Sequence, residues 1–337
     1  LQHEEPSPAL EFAIVSGQPG GRGSAQKSDD HCFRLLRPPR PSPDHLGAIS
    51  KDKPDLWIWL GDNIYGDSDD MAVLKAKYDQ QFNQADYKAF RTQVPVIGTW
   101  DDHDYGRNDG DKSFGPKKES QQLALDFLQE PASSPRRQQE GIYAAYNYNV
   151  GRKRVKVILL DDRYHQDTLF RDANKVYQPN PTGDILGEEQ WKWLEEQLTN
   201  SDADAHIIGS GIQFLAEEHR YEKWANFPVA RQRFLALLAS TKAKGVLLMS
   251  GDRHIGEMAK MTISGVQYPV YEVTSSGLTH PATNNTGEPN KYRVGPLVNE
   301  KHYALFRLRQ KGKKLQATME LKGENGEVFH TEKTVIQ

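Results

Sequence analysis

Short apolar runs closed by turn residues punctuate this chain. Asp55-Leu56-Trp57-Ile58-Trp59-Leu60 stops at Gly61-Asp62-Asn63, and Val94 to Trp100 stops in four polar residues. Val155 to Leu160 ends at Asp161-Asp162, and Val246 to Ser250 runs into Gly251-Asp252-Arg253-His254. Such runs read as buried strands, joined by His206 to Gly209 and Val270 to Thr274. Between them, apolar residues recur at helical spacing: Leu74, Tyr78, Phe82, Tyr87 and Phe90, then Gln121 to Gln129, Gly187 to Leu198, and Phe227 to Leu238 with Pro228 in its first turn. The last 35 residues alternate around Gly312, Gly323 and Gly326, the pattern of an antiparallel meander. Strands alternating with helices and closing in hairpins predict one α/β domain with a mixed sheet or two packed sheets.

Residues 1–50 carry neither period. Gln18 to Ser24 reads as a flexible loop and Arg37 to Pro43 as a polyproline segment, so the division expected is an irregular 1–50 and a folded domain over 51–337.

Composition narrows the function. Of 337 residues 26% are charged, and 43 basic against 46 acidic side chains leave a net charge of −3. With no aromatic and basic stripe, this argues against long nucleic acids as partners, though not against nucleotides. A single cysteine, Cys32, excludes an intrachain disulfide framework. No stretch reaches the roughly 18 apolar residues of a membrane helix. The chain opens on Leu1 without a charged-then-apolar leader, as expected of a processed or shortened form.

The chemistry gathers at strand ends: Asp62 after one, Asp101-Asp102-His103-Asp104 after the next, Asp252 and His254 after a later one. Carboxyl ends of strands form the ligand crevice of α/β folds. Carboxylates converging there need a cation between them, and oxygen donors with an imidazole suit Ca, Mn, Fe or Zn. Two ions about 3.5–4 Å apart bind a phosphate oxygen and ready a hydroxide for in-line attack. Each motif alone is also an ordinary turn or loop. The three in this order are far more specific.

At these residues the chain resembles the alkaline phosphatase D family, the PhoD-like branch of calcineurin-type metallophosphoesterases. The matching segments are Leu60 to Asp67, Trp100 to Gly106, Leu159 to Tyr164, Ser250 to His254 and Thr274 to His280, and the likeness runs from Pro54 onward. The resemblance implies a metallophosphoesterase sandwich of two mixed sheets flanked by helices, with C-terminal antiparallel strands. It implies metal-dependent hydrolysis of small phosphate esters, mono- or diesters, by a metal-bound hydroxide. Two or more ions are implied, Ca and Fe first, with Zn, Mn or Co as alternatives. Metal ligands would be Asp62, Tyr65, Asp102 (Asp101 the runner-up), Asp252 and His254, with Gln213 a further candidate. His103 would assist the leaving group. Arg163 would contact phosphate or form an ion pair with Asp161 or Asp162, and His280 would line the pocket or pack. The family is mostly exported, so a periplasmic or secreted location follows by resemblance only.

One departure stands out. The family carries a cysteine ligand at a strand end ahead of the Gly-Asp-Asn motif, whereas Cys32 sits in Asp29-Asp30-His31-Cys32-Phe33 with no strand before it. We hypothesise a frameshift over at least residues 28–46. Suitable codons for Asp29 to Leu46, read one base later, encode a strand ending in Ser-Cys. A nucleotide sequence whose shifted frame lacks that string refutes this. The alternative to an enzyme is then a non-catalytic metal- or phosphate-binding relative that lost a ligand near its N-terminus.

Overall fold

In the computed structural model, which describes residues 9–17, 45–285 and 287–336, the apolar runs become strands buried on both faces. The chain begins with β1 (Ala9–Val15), α1 (His45–Asp52), β2 (Leu56–Leu60), α2 (Met71–Phe82), α3 (Ala85–Arg91) and β3 (Val96–Thr99). After α4 (Asp102–Tyr105) and α5 (Lys117–Phe127) come β4 (Ala144–Val150), β5 (Lys153–Leu159) and a short hairpin, β6 (Phe170–Arg171) with β7 (Tyr177–Gln178). Then follow α6 (Gly187–Leu198), β8 (Ala205–Ser210), α7 (Pro228–Thr241), β9 (Val246–Ser250), β10 (Gly256–Met261), β11 (Val270–Ser275) and β12 (Arg293–Val298). The meander β13 (His302–Lys311), β14 (Lys314–Gly323) and β15 (Val328–Ile336) closes the fold.

Two mixed sheets result, ordered β15-β14-β13-β1-β2-β3 and β12-β10-β11-β9-β8-β5-β4. Strand period decides how they pack. In β2, Leu56, Ile58 and Leu60 face one way, into a core shared with Val157, Ile207 and Met249 of the other sheet. Trp57 and Trp59 face the other way, against Tyr87, Phe90 and Phe127 of the helices. Helices α6 and α7 cover the outer face of the second sheet with Trp191, Leu194, Phe234 and Leu238. The expected sandwich of two mixed sheets flanked by helices is what forms. No helix among the described residues is long and apolar enough to cross a membrane.

The expectation of an irregular 1–50 is corrected at both ends. Ala9–Val15 forms β1, parallel to β2 and antiparallel to β13, and His45–Asp52 forms α1. The run Phe12-Ala13-Ile14-Val15 is fully buried, so its apolar character is that of a central strand. Cys32 and residues 28–44 of the hypothesised frameshift lie outside the described residues. At the end of β1 stand Ser16 and Gly17; Gly17 donates from its amide to the carbonyl of Gly61, beside Asp62.

The parallel neighbours β1-β2-β3 and β5-β8-β9-β11 set the functional geometry. Their carboxyl ends carry the acid- and histidine-bearing loops after β2, β3, β5 and β9 to one edge of the sandwich.

Candidate metal centre

Backbone shape turns these loops sharply. Asp62, Asp252 and His254 adopt left-handed φ angles of 53°, 62° and 55°, each costing roughly 1–2 kcal/mol for a residue with a Cβ. Gly61 (φ 97°) lets the turns after β2 and β3 touch, because a Cβ there would lie 2.2 Å from Cβ of Asp101. Asp104 clips the two turns together. Its Oδ1 accepts from the amides of Asp62 (3.2 Å) and Asp101 (2.6 Å), and its Oδ2 accepts from the amide (3.2 Å) and side chain (2.5 Å) of Asn63.

Ligand-capable atoms of Asp62, Asp102 and His103 lie within 4.8 Å of one another. Asp62 is buried, and its Oδ1 has no hydrogen-bond partner among the described residues. Its Oδ2 is 3.8 Å from Nε2 of His254, which is itself 3.1 Å from the Tyr65 hydroxyl. Tyr65 packs edge-on to His254 and His280 and lies 4.6 Å, ring to ring, from His103. A second group, Asp102, Asp109 and Glu222, shares Asp102 with the first. Through Asp102, His103, Asp109 and Glu222 the groups open into a cleft of about 890 Å³ also bordered by Asp252, His254 and Tyr221.

Charge crowding shows in the titration of these groups. Burial raises the Asp252 carboxyl to about 6, and the Asp102 and Asp62 charges add to the rise. Burial also lifts the Tyr65 phenol well above its ordinary value, helped by Asp62, Asp102 and Asp252. Burial opposes charge on His103, but Asp102, the bond to Asp67 and Asp62 outweigh it and carry the imidazole to about 10. Buried acids that repel each other, around an unpartnered carboxylate oxygen, fit a site completed by cations.

A profile of the PhoD-like phosphatase family matches residues 44–322. The chain belongs to the PhoD-like phosphatase family. It is 24% identical over 283 residues to the alkaline phosphatase D of Bacillus subtilis (strain 168), covering 68% of this chain and 48% of that protein, so it spans about half the length of this curated relative. A solved structure titled "Structure of PhoD" superposes with a TM-score of 0.71 at 18% identity, covering 98% of this chain and 72% of that one, which establishes the shared fold.

Within this PhoD-like fold the residues expected at the centre are brought together: Asp62, Tyr65, Asp102, His103 and His254 by direct proximity, and Asp252 on the wall of the same cleft. Asp102 rather than Asp101 faces the site, because Asp101 Oδ1 is held by Arg163 Nε at 2.5 Å. His280 is exposed beside Tyr65, at the rim.

Two expectations are corrected. Arg163 is fully buried, so it does not reach phosphate in the cleft. It grips Glu222 with two parallel bonds of 3.0 and 2.9 Å, bonds Gln166 at 3.1 Å and pairs with Asp101. Its ion-pair partners are thus Asp101 and Glu222, not Asp161 or Asp162. Gln213 is engaged elsewhere: it donates to Glu257 (2.8 Å) and Thr274 (2.9 Å) and lies 2.8 Å from His219 Nε2 through Oε1.

Asp104, Asp109, His219, Tyr221 and Glu222 were not legible as site residues. Asp104 was visible only as part of an acidic run. The segment His219 to Glu222 lies far from every motif, and only folding carries it to the cleft wall.

Proposed function

We propose that this chain hydrolyses phosphate esters at the centre formed by Asp62, Tyr65, Asp102, Asp252 and His254. The observation that carries the reading is the convergence of Asp62, Asp102 and His103, with Asp62 Oδ1 left unpartnered among the described residues, at the strand ends of a PhoD-like fold. Hard oxygen donors with the His254 imidazole suit calcium and iron, with zinc, manganese or cobalt as alternatives. When bound, such ions supply Lewis acidity at the phosphoryl oxygens and acidify a water.

The chain's own groups orient the substrate and move the proton. Asp67 Oδ1 holds His103 Nδ1 at 2.7 Å, which leaves Nε2 to face the reacting ester. As the P–O bond breaks and water adds at phosphorus, Nε2–H donates to the departing oxygen, so the alcohol leaves neutral. Tyr65, packed on the His103 ring, keeps the imidazole in that orientation. By family, the protein works outside the cytoplasm, which cell fractionation tests.

The experiment is elemental metal content per purified chain, followed by hydrolysis of phosphate mono- and diesters. Bound metal with turnover, both lost in Asp62→Ala and His254→Ala, is the expected result. Turnover that survives in both variants overturns the assignment. The sequence has no Ser-Cys strand end ahead of Gly61-Asp62-Asn63, which supports a second reading, a non-catalytic binder; tight metal or phosphate binding without turnover is its outcome.

A further inference from the structure

Among the described residues, six large apolar side chains are well exposed: Val73, Phe170, Tyr221, Val229, Val328 and Val335. Only Tyr221 borders the cleft. Scattered exposed apolar residues are ordinary, but this ring is mounted. The Arg253 guanidinium lies 3.7 Å from its centroid, over one face. Its 42% exposure therefore belongs to the other face and the edge.

The mount is rigid. Arg253 is itself pinned by Glu288, which also accepts from Asn285 Nδ2 at 2.8 Å. The Tyr221 amide donates to His219 Nδ1 at 3.2 Å, and its carbonyl accepts from Lys223 Nζ at 2.9 Å. The next residue, Glu222, is locked by the paired bonds of Arg163. Mount and centre are adjacent: Arg253 Nη1 lies 4.0 Å from Asp252 Oδ2. An ester held at the centre thus has a fixed aromatic face one side chain away. Besides Arg253, the His219 ring meets Tyr221 at 6.2 Å, centroid to centroid and tilted by 41°.

We propose that Tyr221 is a stacking platform for the leaving group, so that the cleft prefers phosphate esters whose alcohol carries a flat aromatic ring, such as a nucleoside or an aryl alcohol. The proposal rests on the phosphoesterase reading above and adds its substrate class. A planar leaving group completes a three-layer stack of guanidinium, tyrosine and substrate ring. The stack exists before and during reaction, so it acts on KM more than on kcat.

The test pairs substrates that share phosphate, sugar and leaving oxygen: AMP against ribose 5-phosphate, and the methyl diesters of each. In Tyr221→Ala, kcat/KM for AMP falls about tenfold more than for ribose 5-phosphate, mostly through KM. Tyr221→Phe and Tyr221→Trp keep the preference, because the platform needs a ring and not a hydroxyl. Equal losses for both members of a pair, or a preference lost in Tyr221→Phe, overturn the proposal. If the wild type turns over none of the four, the phosphoesterase reading fails, and calorimetry of adenosine against ribose decides the platform by itself. Tighter adenosine binding that disappears in Tyr221→Ala supports it, and equal binding overturns it.

Discussion

Trp100-Asp101-Asp102-His103 and Leu160-Asp161-Asp162-Arg163 are written almost alike, a buried strand ending in two acids and a cation-forming side chain. They fold into different chemistry. After β5, Asp161 takes the amides of Ile142, Arg163 and Tyr164, and Asp162 takes the amide of Ile212 and the hydroxyl of Ser210. These acids replace water with protein donors and brace loops. After β3, Asp101 is spent on Arg163, while Asp102 accepts from the amides of His103 (2.8 Å) and Asp109 (2.7 Å) and in addition sits among other carboxylates at the cleft. An acidic strand end becomes a ligand set where further acids join it, and stays a brace where only amides and hydroxyls meet it. Sequence spacing does not distinguish the two, since the neighbours come from other strands.

The contrast can be broken by mutation. Asp62→Asn lowers kcat by about a thousandfold or more, with a melting temperature close to that of the EDTA-treated wild type. Asp161→Asn does the reverse, costing about 1–3 kcal/mol of stability through lost amide acceptance while kcat stays within severalfold. Steady-state kinetics and urea unfolding on the same preparations read both, and an equal kinetic loss at Asp161 would merge the two strand ends.

Arg163→Met tests the brace directly. It strands the Asp101 and Glu222 carboxyls in a fully buried site, and breaking such a pair costs about 3–5 kcal/mol. A variant of native stability with a raised KM would return Arg163 to phosphate contact.

Chelation is next in size. If the centre binds ions at about a hundredfold excess over Kd, removing them with EDTA lowers stability by about 2.7 kcal/mol. Thermal unfolding should show that shift in the wild type and in Asp161→Asn, and none in Asp62→Asn.

The smallest effect belongs to His219 on the cleft wall. Its Nδ1 accepts from the Tyr221 amide, so a neutral ring with its proton on Nε2 serves both bonds, Gln213 Oε1 being the acceptor. Burial, with Arg253 and Lys223 adding, depresses it from 6.5 to about 2. Above pH 6.5 both folded and unfolded states are neutral and nothing is lost. Below it the unfolded chain takes up a proton that the fold refuses, so stability falls with pH between 6.5 and 2. From pH 7 to pH 5 this amounts to about 2 kcal/mol, and His219→Gln should flatten that part of the urea midpoint's pH profile.

Much of the sandwich was legible, because β2 and β9 are nearly continuous apolar runs, β5, β8 and β11 each hold a short apolar stretch, and the helices keep their period. What escaped did so for physical reasons. β4 is an edge strand reading Ala-Ala-Tyr-Asn-Tyr-Asn-Val, with Asn147 and Asn149 exposed on one face and Tyr146 and Tyr148 only half-buried on the other, and β12 contains Gly295 and Pro296, which a central strand excludes. β1 was hidden by its surroundings, a strong run beside glycine- and proline-rich segments. At the centre, the residues on motif loops were visible. Those arriving through tertiary contact, Asp109, Glu222 and Tyr221, carry no local signal.

The place of β1 has a consequence for synthesis on the ribosome. Ala9 to Ile14 pairs with Ala304 to Arg309, nearly the whole chain away, while its other edge meets β2. Until β13 emerges, the first sheet ends in an open edge at β1 that nothing nearby can cover. The nascent protein therefore carries this sticky border through most of translation, and completion of that sheet is a late event. A ribosome stalled before residue 300 should hold a chain that chaperones recognise and proteases cut, even though every strand end of the centre has already been made.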